Sequence, residues 1–386
     1  VRLHLAAASL LLTAASCAGG RPPALPPILP LSPVWKTLVG DFVQPPLAAD
    51  GRRLYVATRD GAVRALELDT GAVAWKVDDA PGVLAAAGGV LLVRAEGGTV
   101  RSLQPRTGGV RWTTETGVTG LLPPTVDGDR ALVAGTGLAC LDLATGHVLW
   151  TDRSGADITA PPVVAGERIL TGESDGALRS RDRATGVPVW SAKTGGAALE
   201  APPLVDLGRR RAYLGTMDRR IVQVNLENGD TGWRWRVGAD VADHGLLLPN
   251  RVLFVSYDAV LYSLRPGGNL DWRAPLPSRP LSGPVVVDGY VVVACLENVI
   301  VAVAPETGRR AGSFRTPVEI RTPPLFVGSR LVIGLRDRSV VAFVTAGAAP
   351  EPAASPEAPP ATPSSPPATT PPPGPPASVE PPPPGR

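Results

Sequence analysis

Ala65-Leu66-Glu67-Leu68-Asp69-Thr70-Gly71-Ala72-Val73-Ala74-Trp75 is the stretch that decides the fold of this chain. Its pattern is a short apolar strand followed by A-x-[DEN]-x-x-T-G-x-x-x-W. The pattern returns as Ser102…Thr107-Gly108…Trp112, Cys140…Thr145-Gly146…Trp150 and Ser180…Thr185-Gly186…Trp190. Weaker copies run Gln223…Asn228-Gly229…Trp233 and Tyr262…Gly267-Gly268…Trp272. The period is about 40 residues, and a period in that range means one supersecondary unit copied many times. Such a repeat points toward binding rather than chemistry.

Each copy has the same grammar. A Pro or Pro-Pro opens it: Pro45-Pro46, Pro123-Pro124, Pro161-Pro162, Pro202-Pro203, Pro284 and Pro323-Pro324. A short strand, a Gly- or Asp-containing turn, and two β-rich strands such as Leu54-Tyr-Val-Ala and Ala62-Val-Arg-Ala-Leu follow. The Thr-Gly turn then feeds a last strand that carries Trp. That makes four strands per unit with tight polar connections, and no window shows helical periodicity. Four-stranded units of this length are propeller blades, not solenoid turns.

The last-strand tryptophans count the blades: Trp35, Trp75, Trp112, Trp150, Trp190, Trp233 and Trp272. A further unit, from Pro284 to Pro317, keeps Thr307-Gly308 but has Gly312 where Trp belongs, and Phe314 is expected to pack in its place. The next unit starts at Pro323-Pro324 and stops near Thr345, before any Trp strand. The strand around Trp35 has no preceding strands of its own. The spare strand and the missing strand are complementary, which predicts an all-β, eight-bladed propeller over 34–345 whose last blade is closed by Val34–Val39. Closure matters because it removes the open edges that invite aggregation.

Gly in the turn supplies a backbone with φ > 0, and Thr can hydrogen-bond locally. The Asp or Glu earlier in the motif can accept turn amides. A docked Trp buries about 150–250 Å², a gross gain of roughly 4–6 kcal/mol before entropy is subtracted. The docking set is therefore expected to be structural: Trp35; Thr70, Gly71, Trp75; Thr107, Gly108, Trp112; Thr145, Gly146, Trp150; Thr185, Gly186, Trp190; Gly229, Trp233; Trp272; Thr307 and Gly308.

Outside the repeats, Leu3 to Leu12 form an apolar stretch after Arg2, too short for a spanning helix but suited to a secretory signal. Ala14-Ala15-Ser16 lead directly into Cys17, which resembles a bacterial lipobox with Ala14 where Leu is usual. The expectation is a signal at 1–16 and a lipidated Cys17; a plain signal peptide or an uncleaved start are the alternatives. Ala18 after Cys17 favours the outer membrane by analogy with sorting rules. A Pro-rich linker occupies the rest of 17–33 and is expected to be an extended spacer. The tail, 346–386, holds 17 prolines and no apolar periodicity, and is read as disordered with polyproline character.

The net charge of +3 gives no strong field for nucleic acid. The densest basic spot, Arg209-Arg210-Arg211 with Arg219-Arg220, is read as a solvated hairpin pair, with an anionic partner as the alternative. Cys140 and Cys295 sit in apolar strand runs of different repeats and are expected to be buried small hydrophobes. His147 follows a Thr-Gly turn. His244, after Asp240 and Asp243, is too sparse a set for a metal. No metal and no cofactor is expected, and no catalytic residue is assigned.

The docking motif resembles that of the pyrroloquinoline-quinone-type β-propeller repeat, over residues 34–345. Quinoprotein dehydrogenases with this repeat hold the quinone on a tryptophan platform beside a vicinal cysteine pair, with Ca²⁺ on carboxylate and amide ligands. This chain has no adjacent cysteines, and only Trp235 lies outside the docking positions. With the expected lipid anchor and eight blades, the chain resembles the BamB family of outer-membrane assembly lipoproteins. That resemblance implies a non-catalytic, lipid-anchored scaffold on the periplasmic side of the outer membrane. Its implied partners are the barrel-inserting complex and unfolded barrel precursors. The long Pro-rich tail departs from that family's compact ending. The alternatives are a periplasmic binding propeller for another protein or glycan, and a quinoprotein-type redox enzyme.

Overall fold

The structure, a computed structural model, describes residues 28–345 apart from residue 242. The expected signal at 1–16, Cys17, most of the linker and the tail 346–386 lie outside the described residues. All regular structure within them is β: eight antiparallel sheets of four strands each. Blades one to seven occupy 43–77, 83–115, 125–152, 163–193, 204–236, 246–275 and 285–315, each with its strands in chain order. Blade eight takes three strands from 325–344 and its outermost strand, Ser32–Leu38, from the other end of the chain. That strand pairs antiparallel with Ser339–Val344, with Lys36 opposite Val341 and Leu38 opposite Ser339.

The burial pattern follows from this arrangement. The first strands of neighbouring blades approach one another, so they line the ring's axis. They are short, three residues in six of the blades, and mostly half-buried. The second and third strands are nearly all buried and supply Val, Leu, Ile and Ala to clusters that lie between adjacent blades rather than within one. The fourth strands alternate between half-buried and exposed positions, as in 110–115. Period-2 alternation of this kind marks a strand with one packed face and one wet face.

In a four-stranded meander successive turns alternate between two faces. The Thr-Gly turns therefore share one face of the ring with the turns that join first and second strands. The remaining turns and the blade-to-blade links share the other, called here the loop face.

The N-terminal boundary of the body falls earlier than the sequence suggests. Ile28 and Leu31 are buried, and the closing strand starts at Ser32. The Pro-rich stretch is thus not a spacer up to residue 33. Its last apolar side chains find an intended place between blades seven and eight.

Candidate functional site: the joints between blades and the surfaces they hold

A β-bulge recurs in the third–fourth strand pair of blades one to seven, just before the Thr-Gly turn, as between Ala65 and Leu66, Cys140 and Leu141, or Ser180 and Arg181. An extra residue re-aims the side chains that follow. Here it leaves the tryptophan opposite a small residue: Ala65 faces Trp75, Ser102 faces Trp112 and Ser180 faces Trp190.

Each indole then reaches into the next blade. Trp35 donates its N–H to the Leu68 carbonyl (2.7 Å), Trp75 to Pro105 (2.8 Å), Trp112 to Leu143 (3.1 Å) and Trp190 to Leu226 (3.1 Å). Trp233 donates to Pro266 (2.9 Å) and Trp272 to Pro305 (3.0 Å). These carbonyls belong to the Thr-Gly turns themselves or, for Leu226 and Pro266, to the Asn-Gly and Gly-Gly turns that replace them. The turn glycine of the next blade lies against the same ring: Gly71 on Trp35, Gly108 on Trp75, Gly146 on Trp112, Gly186 on Trp150, Gly229 on Trp190, Gly268 on Trp233 and Gly308 on Trp272. All seven have positive φ.

The turn is tightened locally. Asp142 Oδ1 accepts the Thr145 amide (2.8 Å) and hydroxyl (2.6 Å), and Asp182 does the same for Thr185 (2.9 and 2.8 Å). These hydrogen bonds, the Thr hydroxyl first, hold both carboxyls below the usual carboxylate range. Thr107 instead donates to Gln104 (2.8 Å), while the Thr70 and Thr307 hydroxyls accept the amides of Ala72 and Arg309 (3.2 and 3.3 Å). A threonine two residues past the tryptophan adds a bond across two joints, Thr37 to the Gly71 carbonyl and Thr114 to that of Gly146 (both 2.7 Å).

Two joints differ. At the blade three–four joint the Trp150 N–H finds no acceptor among the described residues. There Arg130 donates to the Arg183 and Ala184 carbonyls, and Arg183 forms a two-pronged pair with Asp127 (2.6 and 2.8 Å). At the blade seven–eight joint Gly312 occupies the tryptophan register, opposite Ala302. Phe314, two residues on, packs across this joint, edge-on against Phe343 of blade eight with ring centres 5.4 Å apart, while Leu29 covers Gly312 itself.

Charged groups are also buried between blades. Arg181 bonds Asp152 of blade three (2.6 Å), Glu173 (3.1 Å) and Thr171, and Arg179 bonds Glu173 and Asp175. Burial acts to raise the Asp152 pKa, but hydrogen bonds from Ser154 and Arg181 hold it low. Arg94, wholly buried, donates to the carbonyls of Leu122 (2.8 Å), Val118 (3.1 Å) and Ala134. Burial alone pushes its pKa down to about 10.

The basic turn at 209–211 is largely neutralised: Arg209 pairs with Asp206 (2.9 Å) and Arg210 with Glu227 (2.5 Å). Arg219, Arg220 and Arg236 line an open polar cleft on the loop face with Asp218 and Asp240. The outermost strands leave apolar side chains exposed, among them Leu38, Val73, Val110, Leu149 and Val189, with Val187 just before one of them.

The residues do not fit a bound quinone of the kind the repeat suggests. Cys140 and Cys295 are buried in blades three and seven. Trp235 packs into the apolar joint between blades five and six beside Val237, Val252 and Phe254. His147 is exposed at its turn. His244 Nδ1 lies 2.6 Å from Asp243, whose other oxygen accepts the Gly283 amide (2.9 Å), a loop brace between blades. Among the described residues no three His, Cys, Asp or Glu side chains gather as a metal would require.

Comparison with known proteins places this architecture. A curated outer membrane protein assembly factor BamB from Legionella pneumophila (strain Paris) is 28% identical over 174 residues, which is 42% of this chain and 45% of that protein. The match thus spans less than half of that relative. The crystal structure of BamB from Moraxella catarrhalis superposes with a TM-score of 0.69 at 19% identity, over 81% of this chain and 99% of that one. Quinohemoprotein alcohol dehydrogenase from Comamonas testosteroni gives the same TM-score at 13% identity, over 83% of this chain and 77% of that one. At these identities both structures share the fold alone. The family model described as outer membrane protein assembly factor BamB matches residues 32–117, 96–243 and 233–350, so the chain belongs to that family.

Proposed function

We propose that this protein is a non-catalytic scaffold of the bacterial envelope that takes part in assembling β-barrel proteins into the outer membrane. The observation that carries this reading is the family match, which runs through all eight blades. Acylated at Cys17 after removal of 1–16, it is tethered on the periplasmic side of the outer membrane. Its partners are the barrel-inserting complex and unfolded barrel precursors.

The surface suits that work. Eight outermost strands each present a row of backbone N–H and C=O groups at the rim, and an extended client can add to such an edge. Leu38, 72% exposed, and Val187, 58% exposed, offer apolar side chains beside those edges. The deep apolar joints keep the ring rigid while the rim does the binding.

The test is crosslinked affinity purification of the tagged full chain from its native envelope, followed by mass spectrometry. Recovery of an outer-membrane barrel-inserting protein supports the assembly role; a different stable partner in its place refutes it. The Cys17→Ser variant checks the anchor separately. It should move the protein from the membrane fraction to the soluble periplasm, and unchanged membrane association would remove the lipid tether from the reading.

A further inference from the structure

Residues 28–38 fasten both sides of blade eight. On one side Trp35 docks on blade one, with its N–H on Leu68 and its ring against Gly71. On the other, Ile28, Leu29 and Leu31 pack among Val287, Tyr290, Val292 and Phe343 between blades seven and eight. The blade seven–eight joint lacks both halves of the device used at the other seven. Its last strand, Arg310–Arg315, has Gly312 at the tryptophan position, and the described residues of blade eight hold no Thr-Gly turn to receive an indole. Leu29 stands where the indole would be: a Cβ built on Gly312 would lie 2.9 Å from Leu29 Cδ1 and 3.5 Å from Leu29 Cβ. At the base of the same joint the Thr345 hydroxyl donates to Asp288 of blade seven (2.5 Å).

We propose that Ile28–Leu31 is a removable plug that substitutes for the missing docking tryptophan, so that the ring closes at the blade seven–eight joint through the chain leading into its first strand. This is a conformational device in the fold and does not depend on the assembly role. A leucine covers less area than an indole and makes no hydrogen bond across the joint, so at this slot the closure is weaker than a docked tryptophan gives. Withdrawal of the plug uncovers the facing apolar sides of blades seven and eight. Blade eight itself stays stitched by Ser32–Leu38.

Size exchange tests the plug. In the full chain, Leu29→Ala empties the slot, Gly312→Trp fills it from the other side, and the double variant does both. Amide hydrogen exchange reads the result blade by blade. Leu29→Ala should speed exchange in 285–315 and 325–344 by at least about tenfold and leave 125–193 unchanged, as local opening does. The double variant should exchange more slowly there than Leu29→Ala alone, because the indole refills the apolar slot even without a Thr-Gly turn to receive it. Gly312→Trp alone should expel the segment and speed protease cleavage between residues 27 and 32 by about tenfold. Uniform loosening of all blades, no loosening, or no rescue in the double variant would each overturn the proposal. A second route avoids any misfolding of the tryptophan variant. With Leu29→Cys and Gly312→Cys the Cβ atoms fall in disulfide range. Ready oxidation to a bond between positions 29 and 312 supports the plug, and failure to form it in the folded protein refutes it.

Discussion

Gly146 lies flat against the indole of Trp112 from the preceding blade, so that a Cβ on Gly146 would stand 2.5 Å from Trp112 Cδ2 and Cε3. No real Cβ tolerates that approach. The same glycine has φ +76°, a conformation that disfavours side chains. One position thus serves two ends: it turns the chain into the fourth strand and it lets the neighbouring tryptophan close on bare backbone. The Thr-Gly and the Trp of the repeat are therefore partners across a joint, not within one blade.

Glycine substitutions separate the two roles. Gly128 also has positive φ, +61°, but has open space where a Cβ would go. Gly128→Ala should cost only the backbone penalty, about 1–2 kcal/mol. Gly146→Ala adds overpacking against the indole, typically 1–3 kcal/mol more. Urea unfolding of the two variants measures the gap. Equal losses would mean that the ring of Trp112 gives way without cost.

The indole N–H offers a second contrast. Trp75 donates to Pro105 at 2.8 Å, whereas Trp150 has no acceptor among the described residues. Trp75→Phe removes a hydrogen bond across the joint, with Arg53 and Tyr55 still donating to the Pro105 carbonyl, and should cost up to about 1 kcal/mol more than its loss of area. Trp150→Phe removes a donor that is already unpaired, so its loss should come from area alone. Thermal melts of both variants, compared with Trp112→Phe as a bonded reference, check the difference. A Trp150→Phe loss as large as that of Trp75→Phe would contradict it.

Blade number, strand count and the closing strand were legible because the Thr-Gly…Trp spacing repeats in register and because Trp35 lacks strands of its own. Period and local turn chemistry are short-range signals, and a repeat multiplies them. What could not be read are contacts made between repeats. The Arg181–Glu173–Asp152 set spans two blades, and its members sit in ordinary surface-looking strand ends. Arg94 shows in sequence as one more hairpin arginine, though it is wholly buried. Leu29 was hidden by the prolines around it: Ile28-Leu29-Pro30-Leu31 holds three apolar side chains, and that excess over a plain spacer was the available signal. Cys17 belongs to a region outside the described residues, and its role rests on the leader pattern alone.

Arg181 is the buried cation whose removal should be felt most. Its side chain is 2% exposed and Glu173 is 0% exposed. Arg181→Met takes from Asp152 its arginine and leaves Glu173 with Arg179 alone, and should cost about 3 kcal/mol, the lower end for a broken buried pair. Adding Glu173→Met removes that buried carboxylate and should recover part of the loss, because buried ion pairs are often replaceable by apolar side chains of similar volume. The double-mutant cycle in urea gives the coupling directly. Simple additivity of the two losses would show that the pair does not act as a unit.

Acid should weaken the ring through Asp152. Its carboxyl is held below its unfolded pKa of 3.8: burial opposes this, but hydrogen bonds from Ser154 and Arg181 outweigh it. A depressed folded pKa means that the folded state binds fewer protons than the unfolded chain in that range. The carboxylate's contribution is therefore complete above the unfolded pKa and is lost as pH falls through the lower, folded one. Asp152→Asn lacks this titration. At pH 7 the variant should be less stable than the parent, and the gap should narrow steadily from about pH 5 downward as the parent's advantage is titrated away. Melting temperatures of the two proteins from pH 7 to pH 3 make the comparison. Parallel curves would place the acid sensitivity elsewhere, with Asp142 and Asp182, whose carboxyls are held low by their turn threonines, as the next positions to substitute.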